Sequence, residues 1–171
     1  MNLKKLIYEK VTRRQAPYYF DYSIGKIILK PLRKYLCNVV AAHSPFNCVR
    51  ILIYRICGFK IGKNVFIGMR CYLDDMCYDL MTIGNNVTIS YGVFFACHGR
   101  NQAHLPIVIE DDVYIGMRAT IITKNDSANG VRIEKGAIIG ACTLVNKNVP
   151  AGMTAVGIPC KIIDKTKRNV E

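Results

Sequence analysis

Two histidines stand out among the side chains able to do chemistry here. His98 follows Phe95-Ala96-Cys97, and His104 lies six residues further on in a polar stretch. An imidazole with an unperturbed pKa of about 6.5 keeps a neutral fraction at neutral pH, which can take a proton from a hydroxyl. General base catalysis is the chemistry this neighbourhood suggests, although a histidine in a loop can also be a plain solvated residue. Asp74, Asp75 and Asp79 precede it and offer carboxylates to a hydroxylated acceptor, or simply form corners. Cys97 beside His98 admits a thiol–imidazole pair, against the plainer reading of a small packing residue. Lys147 and Lys161 either meet an anionic ligand or lie on a solvated surface. Zinc held by three histidines is not expected, because only His98 and His104 fall beyond residue 60.

The elements that must position these groups follow a six-residue period. In frames starting at 61, 67, 73, 83, 89, 109, 115, 133, 139 and 145, the first position is always aliphatic, from Ile61 to Val145. The fifth is always small or β-branched, from Val65 through Cys71, Cys77 and Thr143 to Val149. Turn formers such as Asn85-Asn86 and Asp111-Asp112 fill the third and fourth positions. A period of six matches neither a helix nor one long strand. It matches a short strand and a corner, repeated, with three units closing a triangular coil and coils stacking at roughly 4.8 Å. Residues 61–156 correspond to about five coils. The register breaks between 73 and 83 and between 89 and 109, and Asn125 to Gly130 is too polar for core. Loops inserted into a rigid repeat are where function collects.

Charge is distributed unevenly over the 171 residues. Residues 1–60 hold 12 Lys/Arg against 2 Asp/Glu, whereas residues 61–164 hold 9 against 9. With the surplus mainly in the first third, the last seven residues adding 3 Lys/Arg against 1 Asp/Glu, and no recognition motif, nucleic-acid binding is not expected. Leu3, Leu6, Ile7 and Val11 share one helical face, and Val49, Leu52, Ile53 and Ile56 another. Gly58 suits the end of the second helix, and Pro31 should bend or break its surroundings. This basic segment either caps the open end of the repeat or lies against anionic lipid, and one element can do both. Lys26, Lys30, Arg33 and Lys34 interrupt the most apolar stretch, Ile24 to Ala42, so no bilayer span is expected. Met1 to Arg14 does not read as a signal peptide. Eight cysteines without a CxxC pair suit a reduced cytosolic chain, with Cys71, Cys77 and Cys142 as small packing residues. The expected organisation is a mainly β chain: a helical segment over 1–60, a parallel β-helix over 61–163 and a polar basic tail over 164–171.

Three stretches carry a family likeness. The first is Gly58-Phe59-Lys60-Ile61-Gly62-Lys63-Asn64-Val65; the second is Thr82-Ile83-Gly84-Asn85-Asn86-Val87 with Phe95-Ala96-Cys97-His98. The third is Ile107 to Gly116, continued by Ile139-Gly140-Ala141-Cys142 and Val156 to Lys161. Together they resemble the hexapeptide-repeat, left-handed β-helix acyltransferases, and within that group the sugar O-acetyltransferases of the maltose, galactoside and surface-polysaccharide type. The handedness is the family's and departs from the usual right-handed crossover.

The resemblance implies acetyl-CoA as co-substrate, no metal, and His98 as general base toward an acceptor hydroxyl. It places coenzyme A along Met117, Ala141, Asn146, Lys147 and Lys161, with Asp164 where some members have an arginine. Tyr114 replaces a tryptophan common before the Ile-Gly pair, and with Asp74, Asp75, Asp79 and His104 it forms the expected acceptor wall. The family implies a homotrimer with active sites between prisms. The expected role is O-acetylation of a sugar or lipid-linked saccharide in surface-polysaccharide assembly, in the cytoplasm at the inner membrane face. The competing readings are a non-glycan acceptor (serine, an antibiotic or an amino sugar) and a non-catalytic trimeric scaffold. A serine acetyltransferase would carry a longer helical segment.

Overall fold

The structure, a computed structural model, describes residues 9–13, 24–98, 104–123 and 129–164. From residue 60 the chain winds into a three-sided prism. Its first face holds β1 (Lys60–Ile61), β3 (Met81–Ile83), β6 (Ile107–Ile109) and β9 (Val131–Ile133), paired in parallel in that order. The second face stacks β2 (Phe66–Ile67), β4 (Thr88–Ile89), β7 (Tyr114–Ile115), β10 (Ile138–Ile139) and β12 (Thr154–Val156). The third holds β5 (Phe94–Ala96), β8 (Thr120–Ile122) and β11 (Leu144–Val145). The stack is thus three to five strands deep according to the face. β13 (Lys161–Ile163) folds back antiparallel on β12 and ends the second face.

Register explains why the period is legible. Ile61, Ile83, Ile109 and Ile133 stand directly above one another on the first face, and Ile67, Ile89, Ile115, Ile139 and Ala155 on the second. All but Ile61 are buried. Each large side chain removed from water here contributes about 1.5–3 kcal/mol. The fifth-position residues are buried as well, from Val65 to Val149. Phe95 and Ile121, which the frames above skip, are interior too and stack with Val145 on the third face. Cys142 departs from expectation. It is exposed at a corner with φ of 55°, so it is a turn residue rather than packing; all eight cysteines are free thiols.

Helix α1 (Ile24–Tyr35) contains Pro31 without ending there, and continues into a π-helical turn over Leu36–Ala41. Helix α2 (Asn47–Ile56) ends at Gly58, whose φ of 99° and whose approach to the Tyr78 ring leave no room for a Cβ. Arg50, Ile51 and Tyr54 form the inward face of α2, not the expected stripe: Val49, Leu52 and Ile56 are exposed and Ile53 is only half-buried. The reason is the open edge of the prism, whose unpaired strands need polar partners. Asn47 donates to the Val65 carbonyl and accepts from Ile67 N, and the Arg50 Nε donates to the Ile67 carbonyl at 2.6 Å. Arg55 donates to the carbonyls of Ile61 and Gly62. A polar face turned toward a strand edge leaves the apolar one outside. Of the other predicted face, Val11 is exposed, and Leu3, Leu6 and Ile7 lie outside the described residues.

Candidate functional site

The corner from the third face to the first carries every register break. Between Tyr72 and β3 it holds a 3₁₀ segment over Asp75–Leu80, and between β5 and β6 it holds the described residues 97–98 and 104–106. His98 leaves the end of β5 there and forms an isolated antiparallel bridge with His104, while Leu105 N donates to the Cys97 carbonyl at 2.8 Å. That pairing holds the base of the inserted segment, and both histidines are exposed.

Asp74 is the residue that orients His98. Its carboxylate is fully buried; Oδ1 accepts from Met76 N at 3.2 Å and Oδ2 from Cys97 N at 2.9 Å. The same Oδ2 lies 2.6 Å from His98 Nδ1, while the imidazole side chain is 41% exposed. A carboxylate already fixed by backbone N–H donors acts as acceptor, so the ring proton sits on Nδ1 and the lone pair on Nε2. Asp74 is fully buried and turned to the ring rather than to solvent, which corrects its expected place in the acceptor wall. Asp75 is likewise buried and accepts from Asn38 Nδ2 at 2.9 Å, tying the 3₁₀ segment to the helical cap; Asp79 alone of the three is exposed. The one-coil offset between Asp74 and His98 is readable in the sequence, but the inward turn of the carboxylate is not.

The thiols nearby are not nucleophiles. Cys97 is wholly buried, and burial and then the Asp74 charge push its thiol up to about 12. Cys77 is pushed to about 12 by the same two causes in the same order. Asp74, Cys77 and His98 are the one set of metal-capable ligand atoms within 4.8 Å of one another among the described residues. Two of its three members are already committed to the Asp74–His98 contact.

The other predicted residues lie elsewhere on the chain. Met117 and Ala141 are exposed at successive levels of the corner from the second face to the third, where Cys142 N donates to the Met117 carbonyl. Tyr114 points outward from β7, with its hydroxyl 3.3 Å from Ser90 Oγ. Asn146 and the exposed Lys147 follow β11 on the corner that carries His98, two levels further along. Lys161 is exposed on β13. One chain therefore groups His98, His104 and Asp74, and spreads the residues expected to meet coenzyme A: Met117 and Ala141 at a second corner, Asn146 and Lys147 further along the His98 corner, and Lys161 on β13.

Comparison with known proteins gives the same repeat. A family model described as the hexapeptide repeat of succinyl-transferase matches residues 58–94 and 106–147. YvoF of Bacillus subtilis (strain 168), an inferred acetyltransferase, is 30% identical over 139 residues, covering 79% of this chain and 77% of its own. A 2,3,4,5-tetrahydropyridine-2,6-dicarboxylate N-acetyltransferase of Staphylococcus aureus (strain Newman) is 41% identical over 80 residues, covering 47% of this chain; the match spans 31% of that relative's length. Among solved structures, a hexapeptide-repeat acetyltransferase of Vibrio cholerae O1 biovar eltor, complexed with acetyl coenzyme A, superposes with a TM-score of 0.67 at 22% identity, covering 89% of this chain and 93% of that one. The polySia-specific acetyltransferase NeuO gives a TM-score of 0.51 at 26% identity, covering 61% of this chain and 50% of its own.

Proposed function

Because this chain belongs to the hexapeptide-repeat acyltransferase family, we propose that it transfers an acetyl group from acetyl-CoA to a hydroxyl of a sugar, with His98 as general base. The observation that carries this reading is the 2.6 Å contact between His98 Nδ1 and the buried Asp74, with the ring half open to solvent. Acetyl-CoA supplies an activated thioester. Asp74 is a positioning residue: it holds the Nδ1 proton, leaves Nε2 to accept the acceptor's proton, and stabilises the imidazolium that forms. Passing that proton to the leaving sulfur restores neutral His98 and completes O-acetylation.

The acceptor wall is the remainder of this corner, with Asp79 and His104 exposed on it; Tyr114 lies on the second face, opposite this corner, and would join the wall from a neighbouring subunit. Met117, Ala141, Asn146, Lys147 and Lys161 are the residues proposed to meet coenzyme A. The separation of Met117 and Ala141 from His98 within one chain supports a homotrimer in which one subunit's His98 corner faces another's Met117 corner. A surface saccharide is the acceptor class we favour, in the cytoplasm. The likeness to an enzyme specific for a polymeric sugar supports that choice. A second reading, transfer to an amine nitrogen, is favoured by the 41% identity to an N-acetyltransferase.

The test is thiol release from acetyl-CoA in the presence of sugars, amino sugars and amino acids. Sugar-dependent release is expected. His98→Ala should lower it by about 10²–10⁴-fold with coenzyme A affinity unchanged. Release with amines alone would overturn the sugar reading, and full turnover by the variant would remove His98 from its role.

A further inference from the structure

The outward face of α2 has no use in the chemistry above. Phe46, Val49, Leu52 and Ile56 follow one another at helical spacing along a single stripe, and Leu52 and Ile56 are 59% and 72% exposed. The preceding helix leaves Leu29 and Leu32 exposed as well, at 56% and 48%. Exposed cations on the same elements are Lys34 on α1 and Lys60 just beyond α2. Surface helices normally turn polar residues outward. Here the prism edge takes the polar face, through Asn47, Arg50 and Arg55.

We propose that this helical surface docks the protein on an anionic lipid bilayer. Its charge argues for that occupant: residues 1–60 of the sequence hold 12 basic against 2 acidic residues, while residues 61–164 hold 9 against 9. Cations rimming an apolar stripe attract anionic headgroups and let the stripe enter the interface. A second copy of this chain would instead bring like charges together. No helix among the described residues is long and apolar enough to cross a membrane, so the contact is peripheral. The proposal deepens the acetyl-transfer reading by placing its acceptor at a membrane surface, and rests on that reading only for this consequence.

The experiment is vesicle co-sedimentation of the full chain, with phosphatidylcholine alone and with phosphatidylcholine mixed with phosphatidylglycerol. Binding is expected to the anionic vesicles and to weaken as salt rises. The double variant Leu52→Ser/Ile56→Ser, which changes only exposed side chains, should keep its circular dichroism and lose roughly tenfold or more in partition. Equal partition onto neutral vesicles, no partition, or an unchanged variant would overturn the proposal. So would a variant that alters the oligomeric mass in ultracentrifugation while vesicle binding persists, because the stripe would then belong to a second copy. Thiol release with a soluble sugar and no vesicles reads the acetyl-transfer proposal separately.

Discussion

At the corner between the first and second faces, each turn between successive strands is four residues long; at the corner between the third and the first, the connections differ from level to level. The regular corner places Asn64, Asn86, Asp112, Gly136 and Gly152 in the left-handed region, one above another. Their side chains form a ladder, Asn64 to Asn86 at 3.2 Å and Asn86 to Asp112 at 3.0 Å. Beside it, the Asn85 backbone N–H, and after it the Asn85 amide, hold the Asp111 carboxyl below the ordinary range. The irregular corner has no such ladder. It has a buried carboxylate, an imidazole and an inserted segment tied down by the His98–His104 bridge. Repetition satisfies the backbone at one corner and so frees the other to depart from it. The same wall supplies a rigid mount and a variable edge.

Substitutions at three positions test that division. The largest effect is expected at the irregular corner. Asp74→Asn can present an amide donor to Nδ1 and favour the wrong tautomer, so kcat should fall by roughly 10²-fold or more, within the range general base catalysis supplies. KM for acetyl-CoA should hold steady; a rise in KM with kcat intact would make Asp74 a binding residue instead. Next is the interior. Ile121→Ala empties a wholly buried position between Phe95 and Val145 and should cost about 2–5 kcal/mol in denaturant unfolding. A cost below 1 kcal/mol would mean that the coils are not close-packed there. The smallest effect belongs to the regular corner. Asn86→Ala loses the ladder and leaves at φ of 55° a residue without the short polar side chain that lets asparagine adopt the left-handed region, for about 1–2 kcal/mol. Asn86→Gly should recover part of that loss. If both variants unfold at the wild-type midpoint, left-handed geometry is not what those corners require.

Much of this was open to reading in the chain. The aliphatic and small positions from Ile61 to Val149 repeat because stacked parallel strands set equivalent residues above one another, so the fold leaves a period in the sequence. The frames missed Phe95 and Ile121 because an aromatic at one and a following inserted segment at the other hide the repeat. His98 was legible from the Phe95-Ala96-Cys97-His98 context. The helical cap was less so: apolar spacing along α2 points to the stripe that turned out to be exposed, since periodicity shows two faces of a helix without saying which one the prism edge will take.

Sequence alone determined the repeat, its corner residues and the imbalance of charge between cap and prism, because each is a property of residue type at a fixed spacing. Only the tertiary structure decided that Asp74 turns inward to His98, that Asp75 serves the cap through Asn38, and that Met117 stands at a different corner from His98. These are directions of side chains in space, settled by which hydrogen-bond donors surround a carboxylate once the coils are stacked, and no spacing along the chain encodes them.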